Sequence, residues 1–258
     1  MISVLLTVAL SATDAGPPTG LACLPTWYAG TVARLPDGGW GLRLDAGSYL
    51  PWAIDTSALA PDAGDPDQLE VTALSDIYRP PYKAGLIVPI DTSDAGTIED
   101  PGRARVEQLF LSTYGGDRKT VESRMTSIRF MGQRYAFHEL AGEALKRVVA
   151  RLQEQVKTNK RLLPFLQNIG GTFIWRRIAR SKNLSTHAFG IAIDVNVERS
   201  HYWRWTFKGQ PMIWKNKIPQ EIVDSFEAEG FIWGGRWAHY DTMHFEYRPE
   251  LLSPLCRE

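Results

Sequence analysis

An α+β fold is what the patterning of this chain predicts, and three observations carry it. Residues 138–156 and 219–229 repeat apolar side chains at helical spacing. Two short segments late in the chain alternate apolar and polar residues with the period of two that marks a strand. Residues 13–105 are too rich in Gly, Pro and Asp for long elements of either kind. At 258 residues the chain is long enough to bury a sizeable core.

Taken in order, the opening Ile2 to Leu10 is a short apolar run followed by small residues, and Ala9-Leu10-Ser11 suits a signal peptidase. It reads as a signal segment over residues 1–12, with a buried first strand as the alternative. A lipoprotein box at Cys23 is poor, because Gly20 stands where an aliphatic residue is wanted. Residues 13–105 form an irregular β/loop region. Asp-Ala-Gly recurs there at Asp14, Asp45, Asp62 and Asp94 with unequal spacing, which indicates turns rather than a repeat. Short strands are expected around Thr26–Val32 and Gly41–Leu44. From Asp100 the texture changes, and residues 106–258 read as one domain. Arg105–Tyr114 is expected to be a helix, Thr126–Phe130 a strand and His138–Val156 a long helix lined by Leu145, Val148, Leu152 and Val156. A further helix over Pro219–Glu229 has proline in its first turn, turns Ile222, Val223 and Phe226 inward, and has Gly230 for a left-handed cap.

Formal net charge is zero, yet residues 1–100 hold 13 acidic and 4 basic side chains, against 16 and 25 in residues 101–258. The cationic later part suits an anionic polymer or a substrate bearing carboxylates. No basic stripe with interleaved aromatics occurs, so nucleic acid is not expected as a partner. No apolar run approaches the ~20 residues that span a bilayer, so no stable membrane span is expected. Two cysteines, Cys23 and Cys256, exclude a cysteine-rich zinc finger and a Cys-x-x-Cys redox site. They form either a terminal disulfide in an exported protein or two thiols in a reducing cytoplasm.

The informative stretch is Ser185-Thr-His187-Ala-Phe-Gly190-Ile-Ala192-Ile-Asp194-Val-Asn196, followed by Asp241-Thr-Met-His244-Phe-Glu246. Read as a strand, Phe189–Val197 puts apolar residues at every odd position and Gly190, Ala192, Asp194 and Asn196 at the even ones. An Asp between β-branched neighbours is costly if buried unpaired, and a metal ion would resolve it. His187 lies in the loop before this strand. Met243, Phe245 and Tyr247 alternate with His244 and Glu246, so an adjacent antiparallel strand turns His244 toward the face of Asp194. Two imidazoles and one carboxylate suit Zn2+ with one open position for water. Asp241 could reach that water as general base, and Glu246 could orient a ligand from behind.

Ser-x-His-x-x-Gly-x-Ala-x-Asp followed by Asp-x-x-His-Phe-Glu resembles the LAS group of zinc peptidases, the VanY-like D-alanyl-D-alanine carboxypeptidases and related L-alanyl-D-glutamate endopeptidases. The resemblance runs from about Asp100 to Leu252. Gly171-Thr-Phe-Ile-Trp-Arg176 looks like the segment carrying a catalytic arginine, and Gly230-Phe-Ile-Trp233-Gly-Gly like the strand before the last ligand. The resemblance implies zinc on His187, Asp194 and His244, Asp241 as base, Arg176 near the oxygen that becomes negative, and Ser185 and Glu246 supporting the ligands. It implies a small antiparallel sheet with flanking helices. It also implies hydrolysis of a peptide bond next to a D-amino acid in peptidoglycan stem peptides or their precursors. A monomer in the periplasm or outside the cell is expected, with the cytoplasm as the alternative.

Two rival functions share the constellation: a non-catalytic wall-binding protein that keeps zinc for structure, and a zinc amidohydrolase acting on a non-wall substrate. An intact Asp241 argues against the first. His138, His201 and His239 are read as structural or surface residues, and Trp203, Trp205, Trp214, Trp233 and Trp237 as core or rim.

Overall fold

The computed structural model describes residues 16–54, 73–92, 99–179, 181–206 and 212–257. The signal segment read over residues 1–12 lies outside them, as do Asp14, Asp62 and Asp94. The fold is α+β, with small antiparallel sheets and flanking helices.

A short helix α1 (Thr19–Cys23) runs into a 3-10 turn at Leu24–Thr26 that has Pro25 in its first turn. A meander follows, made of β1 (Thr31–Arg34), β2 (Trp40–Arg43) and β3 (Tyr49–Pro51). The strand expected at Thr26–Val32 therefore begins only at Thr31, because the proline favours continuing the preceding helical turn. Asp45–Gly47 makes the turn between β2 and β3, closed by Leu44 N–H donating to Ser48 O (2.8 Å).

Helix α2 (Glu107–Tyr114) is followed by α3 (Arg118–Ser123), whose first turn is capped by the Asp117 carboxylate accepting from Thr120 N–H (2.9 Å). Strands β4 (Met125–Phe130) and β5 (Gln133–His138) pair as a hairpin. His138 ends it and caps the next helix, its Nδ1 accepting from Leu140 N–H (3.2 Å), so this fully buried histidine is structural. Helix α4 (Glu139–Thr158) buries Leu145, Val148 and Leu152 along one face, as its spacing predicts.

The sheet that positions the site has the order β6 (Ala192–Asp194), β8 (His244–Tyr247), β7 (Phe231–Trp233). Helices α5 (Trp203–Thr206), α6 (Gln220–Glu227) and α7 (Pro249–Leu252) complete the chain. Strand β6 is much shorter than the expected Phe189–Val197. Side-chain caps explain the difference. Ser185 accepts from His187 N–H and starts a 3-10 helix over Thr186–Phe189, and Asn196 Oδ1 accepts from Arg199 N–H (3.0 Å) to start another at Val197–Arg199. Gly190 between them takes a left-handed φ of 65°, and a Cβ there would stand 2.3 Å from Met125 Cε. The alternation survives the shortening, since Ile191, Ile193 and Val195 are all buried. On the same side Phe245 stacks on Phe226 of α6 with ring centroids 4.0 Å apart. Helix α6 starts after Pro219, which caps it, and the chain turns at Gly230 with φ 88°.

One hydrophobic cluster joins Leu21, Leu24, Tyr28 and Leu42 to Leu145, Phe189, Ile193, Phe226 and Phe245, so residues on both sides of position 105 share a core. Among the described residues no helix is long and apolar enough to cross a membrane. Cys23 and Cys256 form a disulfide with Cα atoms 5.4 Å apart, closing nearly the whole described chain into one loop. The double variant Cys23→Ser/Cys256→Ser is expected to lose about 2–4 kcal/mol of unfolding free energy. Urea unfolding of both proteins, with and without reductant, checks it: reductant should weaken the parent toward the variant and leave the variant unchanged.

Candidate metal centre

The β6–β8 register sets the site. Asp194 lies directly opposite His244, so both side chains leave the sheet on one face. His187 is brought to the same place by the 3-10 turn that Ser185 caps and that Gly190 ends. His187 Nε2 stands 3.2 Å from Asp194 Oδ1, and His244 Nδ1 stands 3.0 Å from the same oxygen. One ligand atom from each residue falls within 4.8 Å of the others. Donors around a tetrahedral zinc at ~2.0–2.2 Å sit roughly 3.3–3.6 Å apart, close to what these pairs already show.

The outer nitrogens fix the tautomers. His187 Nδ1–H donates to Thr172 O (3.0 Å), which turns Nε2 inward to face Asp194. His244 Nε2–H donates to Glu246 Oε2 (3.0 Å), which turns Nδ1 inward. Glu246 thus stands behind His244, and it is itself held by Thr186 Oγ1 (3.1 Å), by Arg105 through Nε (3.2 Å) and Nη2 (2.5 Å), and by Arg248 Nη1 (3.2 Å). Such partners raise ligand basicity and hold ring orientation.

Charge follows from these contacts. Burial works to lower the His244 pKa, but hydrogen bonds and the charges of Asp194 and Glu246 carry it up to about 9, so without metal the ring is protonated at neutral pH. Burial works to raise Asp194, yet His187 and His244 hold its carboxyl well below the usual carboxylate range. Burial likewise opposes ionisation of Glu246, and Arg105 and His244 overcome it.

Asp241 sits in the turn before β8, its N–H donating to Gly234 O (3.0 Å). Its carboxyl is pushed up to about 7 by burial and by the charge of Asp194. Its Oδ1 is buried and has no hydrogen-bond partner among the described residues. A buried unsatisfied carboxylate oxygen is costly, and a water or ion in the cleft is the partner that would satisfy it.

The cleft over these groups is lined by Arg103, Arg105, Arg176, Tyr202, Trp237 and Asp241 together with the triad. Arg176 is exposed, donates only to Arg177 O (3.4 Å) and forms no ion pair among the described residues. Arg103 and Arg105 were not anticipated as site residues. Nothing in local spacing could have found them, since Arg105 lies 141 residues from the glutamate it pairs with. His239 binds Asp100 through its backbone N–H and Nδ1, both at 2.8 Å, and His201 lies outside the cleft. Of the tryptophans, Trp203, Trp233 and Trp237 are buried and Trp214 is partly so, whereas Trp205 is half exposed. Trp237 packs beside His244 with ring centroids 5.7 Å apart.

Residues 179–247 match the model of a peptidase family described as D-alanyl-D-alanine carboxypeptidase. The matched segment contains His187, Asp194, Asp241 and His244 and runs to the end of β8; Arg103, Arg105 and Arg176 lie before it. The resemblance read from the motif therefore holds over that segment, and the His-Asp-His group it contains could hold a metal.

Arg248→Met is expected to cost about 3–5 kcal/mol, because Glu246 and Glu250 would each lose a partner while remaining buried. Equilibrium urea unfolding of the metal-free variant measures it, and a loss under 1 kcal/mol would show that the buried charges reorganise.

Proposed function

We propose that the protein is a zinc-dependent peptidase that hydrolyses a peptide bond next to a D-amino acid in peptidoglycan stem peptides, in the manner of a D-alanyl-D-alanine carboxypeptidase. The observation that carries this reading is the buried, unpartnered Oδ1 of Asp241 beside a His-Asp-His group whose inward nitrogens are already selected by outer hydrogen bonds. A wall-binding module that kept the metal for structure would have no use for a costly carboxylate there. When bound by His187 Nε2, an Asp194 oxygen and His244 Nδ1, zinc would supply Lewis acidity toward the scissile carbonyl and lower the pKa of water in the cleft.

The chain's own residues do the rest. Asp241, at the wall of the cleft, accepts a proton from the attacking water and returns it to the departing amine. Arg176, on the segment whose carbonyl accepts from Ser185 N–H (3.1 Å), offers a guanidinium to the oxygen that gains negative charge. Glu246 keeps His244 oriented throughout. The disulfide supports an exported protein, periplasmic or extracellular, because such bonds persist in oxidising compartments.

Incubation of the zinc-loaded protein with purified muropeptides, followed by mass spectrometry, tests the reaction. Loss of one alanine means carboxypeptidase and a split stem means endopeptidase, whereas unchanged muropeptides would turn the assignment toward a non-wall amide. His187→Ala and His244→Ala are expected to lose metal and activity together, read by elemental analysis and turnover. Asp241→Asn should keep zinc and fold while turnover falls by a factor on the order of 10² to 10⁴. Zinc uptake should also depend on pH in a definite direction. The proton on His244 must leave before Nδ1 can ligate, so apparent affinity rises by about tenfold per pH unit from 6 toward 9 and flattens above it. Calorimetric titrations of the metal-free protein across that range would detect the trend, and a flat profile would remove His244 from the ligand set.

A further inference from the structure

A second cavity, of about 440 Å³, shares no lining residue with the metal cleft. Its walls come from distant parts of the chain: Gly20 of α1, Trp52 just beyond β3, Ser75 and Tyr78 of the 3-10 turn at Leu74–Tyr78, and Leu251 and Cys256 from α7 and the turn after it. The Cys23–Cys256 bond ties two of these walls together. Trp52 and Tyr78 are both half-buried, and their ring centroids lie 5.9 Å apart with the planes inclined at 47°, so the two rings make a trough and not a stack. Gly20 gives them room, since a Cβ there would stand 2.7 Å from Trp52 Cη2 and 3.1 Å from Tyr78 Cε2. The Tyr78 hydroxyl donates to Gly20 O (2.9 Å), which fixes the phenol in the wall.

Charge in the lining is one-sided. Arg79, Lys83 and Arg257 are exposed there; among the described residues the side chains of Arg79 and Lys83 make no ion pair or hydrogen bond, and that of Arg257 donates only to Leu252 O (3.4 Å). The one carboxylate in the lining is Glu250, which is nearly fully buried and already accepts from Arg248 Nε at Oε1 (2.6 Å) and from the Tyr28 hydroxyl at Oε2 (2.8 Å). Ser75 adds a hydroxyl that bonds to no described residue. We propose that this cavity is a binding site for an acidic saccharide. A puckered sugar ring has C–H faces that settle against both walls of an aromatic trough, where a flat heteroaromatic ring would meet only one, and its hydroxyls suit Ser75. A carboxylate on that sugar would reach Arg79, whose guanidinium offers it two parallel hydrogen bonds, or the Lys83 ammonium beside it. The volume falls within the ~300–1,000 Å³ of small-ligand sites, and apolar walls with a few polar groups are their usual lining. The assignment goes beyond the reaction proposed above and does not rest on it.

The test uses three probes: N-acetylglucosaminyl-β-1,4-N-acetylmuramic acid with its lactyl carboxylate free, chitobiose, which is the same disaccharide without the lactyl group, and inorganic phosphate. Each is titrated into the ¹⁵N-labelled protein and followed by amide chemical shifts. The acidic disaccharide should move the amides of Gly20, Trp52, Ser75 and Tyr78 and bind roughly tenfold more tightly than chitobiose, the worth of one charge-assisted contact. Trp52→Ala should weaken both disaccharides, whereas Arg79→Gln/Lys83→Gln should bring the two affinities together. The ratio is internal to each protein, so partial loss of folded protein does not move it, and the double variant alters exposed side chains only. Equal binding of the two disaccharides by wild type overturns the proposal, as does a preference that survives in Arg79→Gln/Lys83→Gln. Phosphate that binds at the same amides as tightly as the acidic disaccharide reduces the site to a patch of positive charge and overturns it too. Shifts confined to the surroundings of His187 and His244, or no shifts at all, do the same. Turnover of muropeptides should be unchanged in Arg79→Gln/Lys83→Gln; that assay reads the metal centre alone, so either assignment can fail and leave the other standing.

Discussion

A buried chain of alternating charges is the constraint on which the rest of the structure depends. It starts at Asp194, passes through His244, Glu246 and Arg248, and ends at Glu250, whose Oε2 accepts from the hydroxyl of Tyr28 (2.8 Å). Glu246 and Arg248 are fully buried and Glu250 nearly so. Each such ion costs several kcal/mol to desolvate, and none could be kept there singly. With Arg105 on Glu246 the chain holds as many cations as anions while His244 is protonated, and every carboxylate has at least one charged partner. The sheet, α7 and the segment that carries Tyr28 must all stay in place for that balance to hold.

The same chain explains how a short strand can present a metal-binding geometry. Strand β6 has only three residues, too few to orient an imidazole and a carboxylate by ladder hydrogen bonds alone. Orientation comes instead from behind. Thr172 O selects the nitrogen that His187 turns inward, and Glu246 does so for His244. Because Glu246 is gripped from one side by Arg105 and from another by Arg248, the ring of His244 has little freedom to turn. Pre-organisation of this kind lets a few residues of loop and strand act as a rigid ligand set.

How much of this was legible in the sequence varies with the range of the interactions. The shared face of Asp194 and His244 was legible, because alternation in the two segments fixes the side on which each residue leaves its strand; that the two lie directly opposite is set by the fold. The long helix α4 was legible for the same reason at a period of 3.6. The extent of β6 was not, because Ser185 and Asn196 compete for backbone donors and turn the flanks of an apparently continuous strand into 3-10 helix. Sequence periodicity registers side-chain polarity and is blind to that competition. Arg105 read simply as the start of a helix. Its partner is fixed by tertiary packing alone, and no local rule connects positions 105 and 246. Cys23 and Cys256 stood between two outcomes that differ only in compartment and distance, and the second of these is a property of the fold.

The segment 99–105 is tied to the residues around the cleft along its whole length. Glu99 O accepts from Ala238 N–H (2.9 Å), and Asp100 holds His239. Pro101 O receives the Trp237 indole N–H. Gly102 O and Ala104 O accept from Arg248 at 2.9 and 3.3 Å, and Arg105 grips Glu246. Gly102 has a φ of 77°, and a Cβ there would meet Leu251 Cδ1 at 2.8 Å, so the strap lies against the protein as closely as a chain can. It meets the chain on both sides of the central strand, at Trp237–His239 and at Glu246 and Arg248, satisfying polar groups that would otherwise be buried without partners. A segment tied this closely to the ligand strand does two things at once: it neutralises the charges behind the metal ligands, and it sets Arg103 at the wall in front of them.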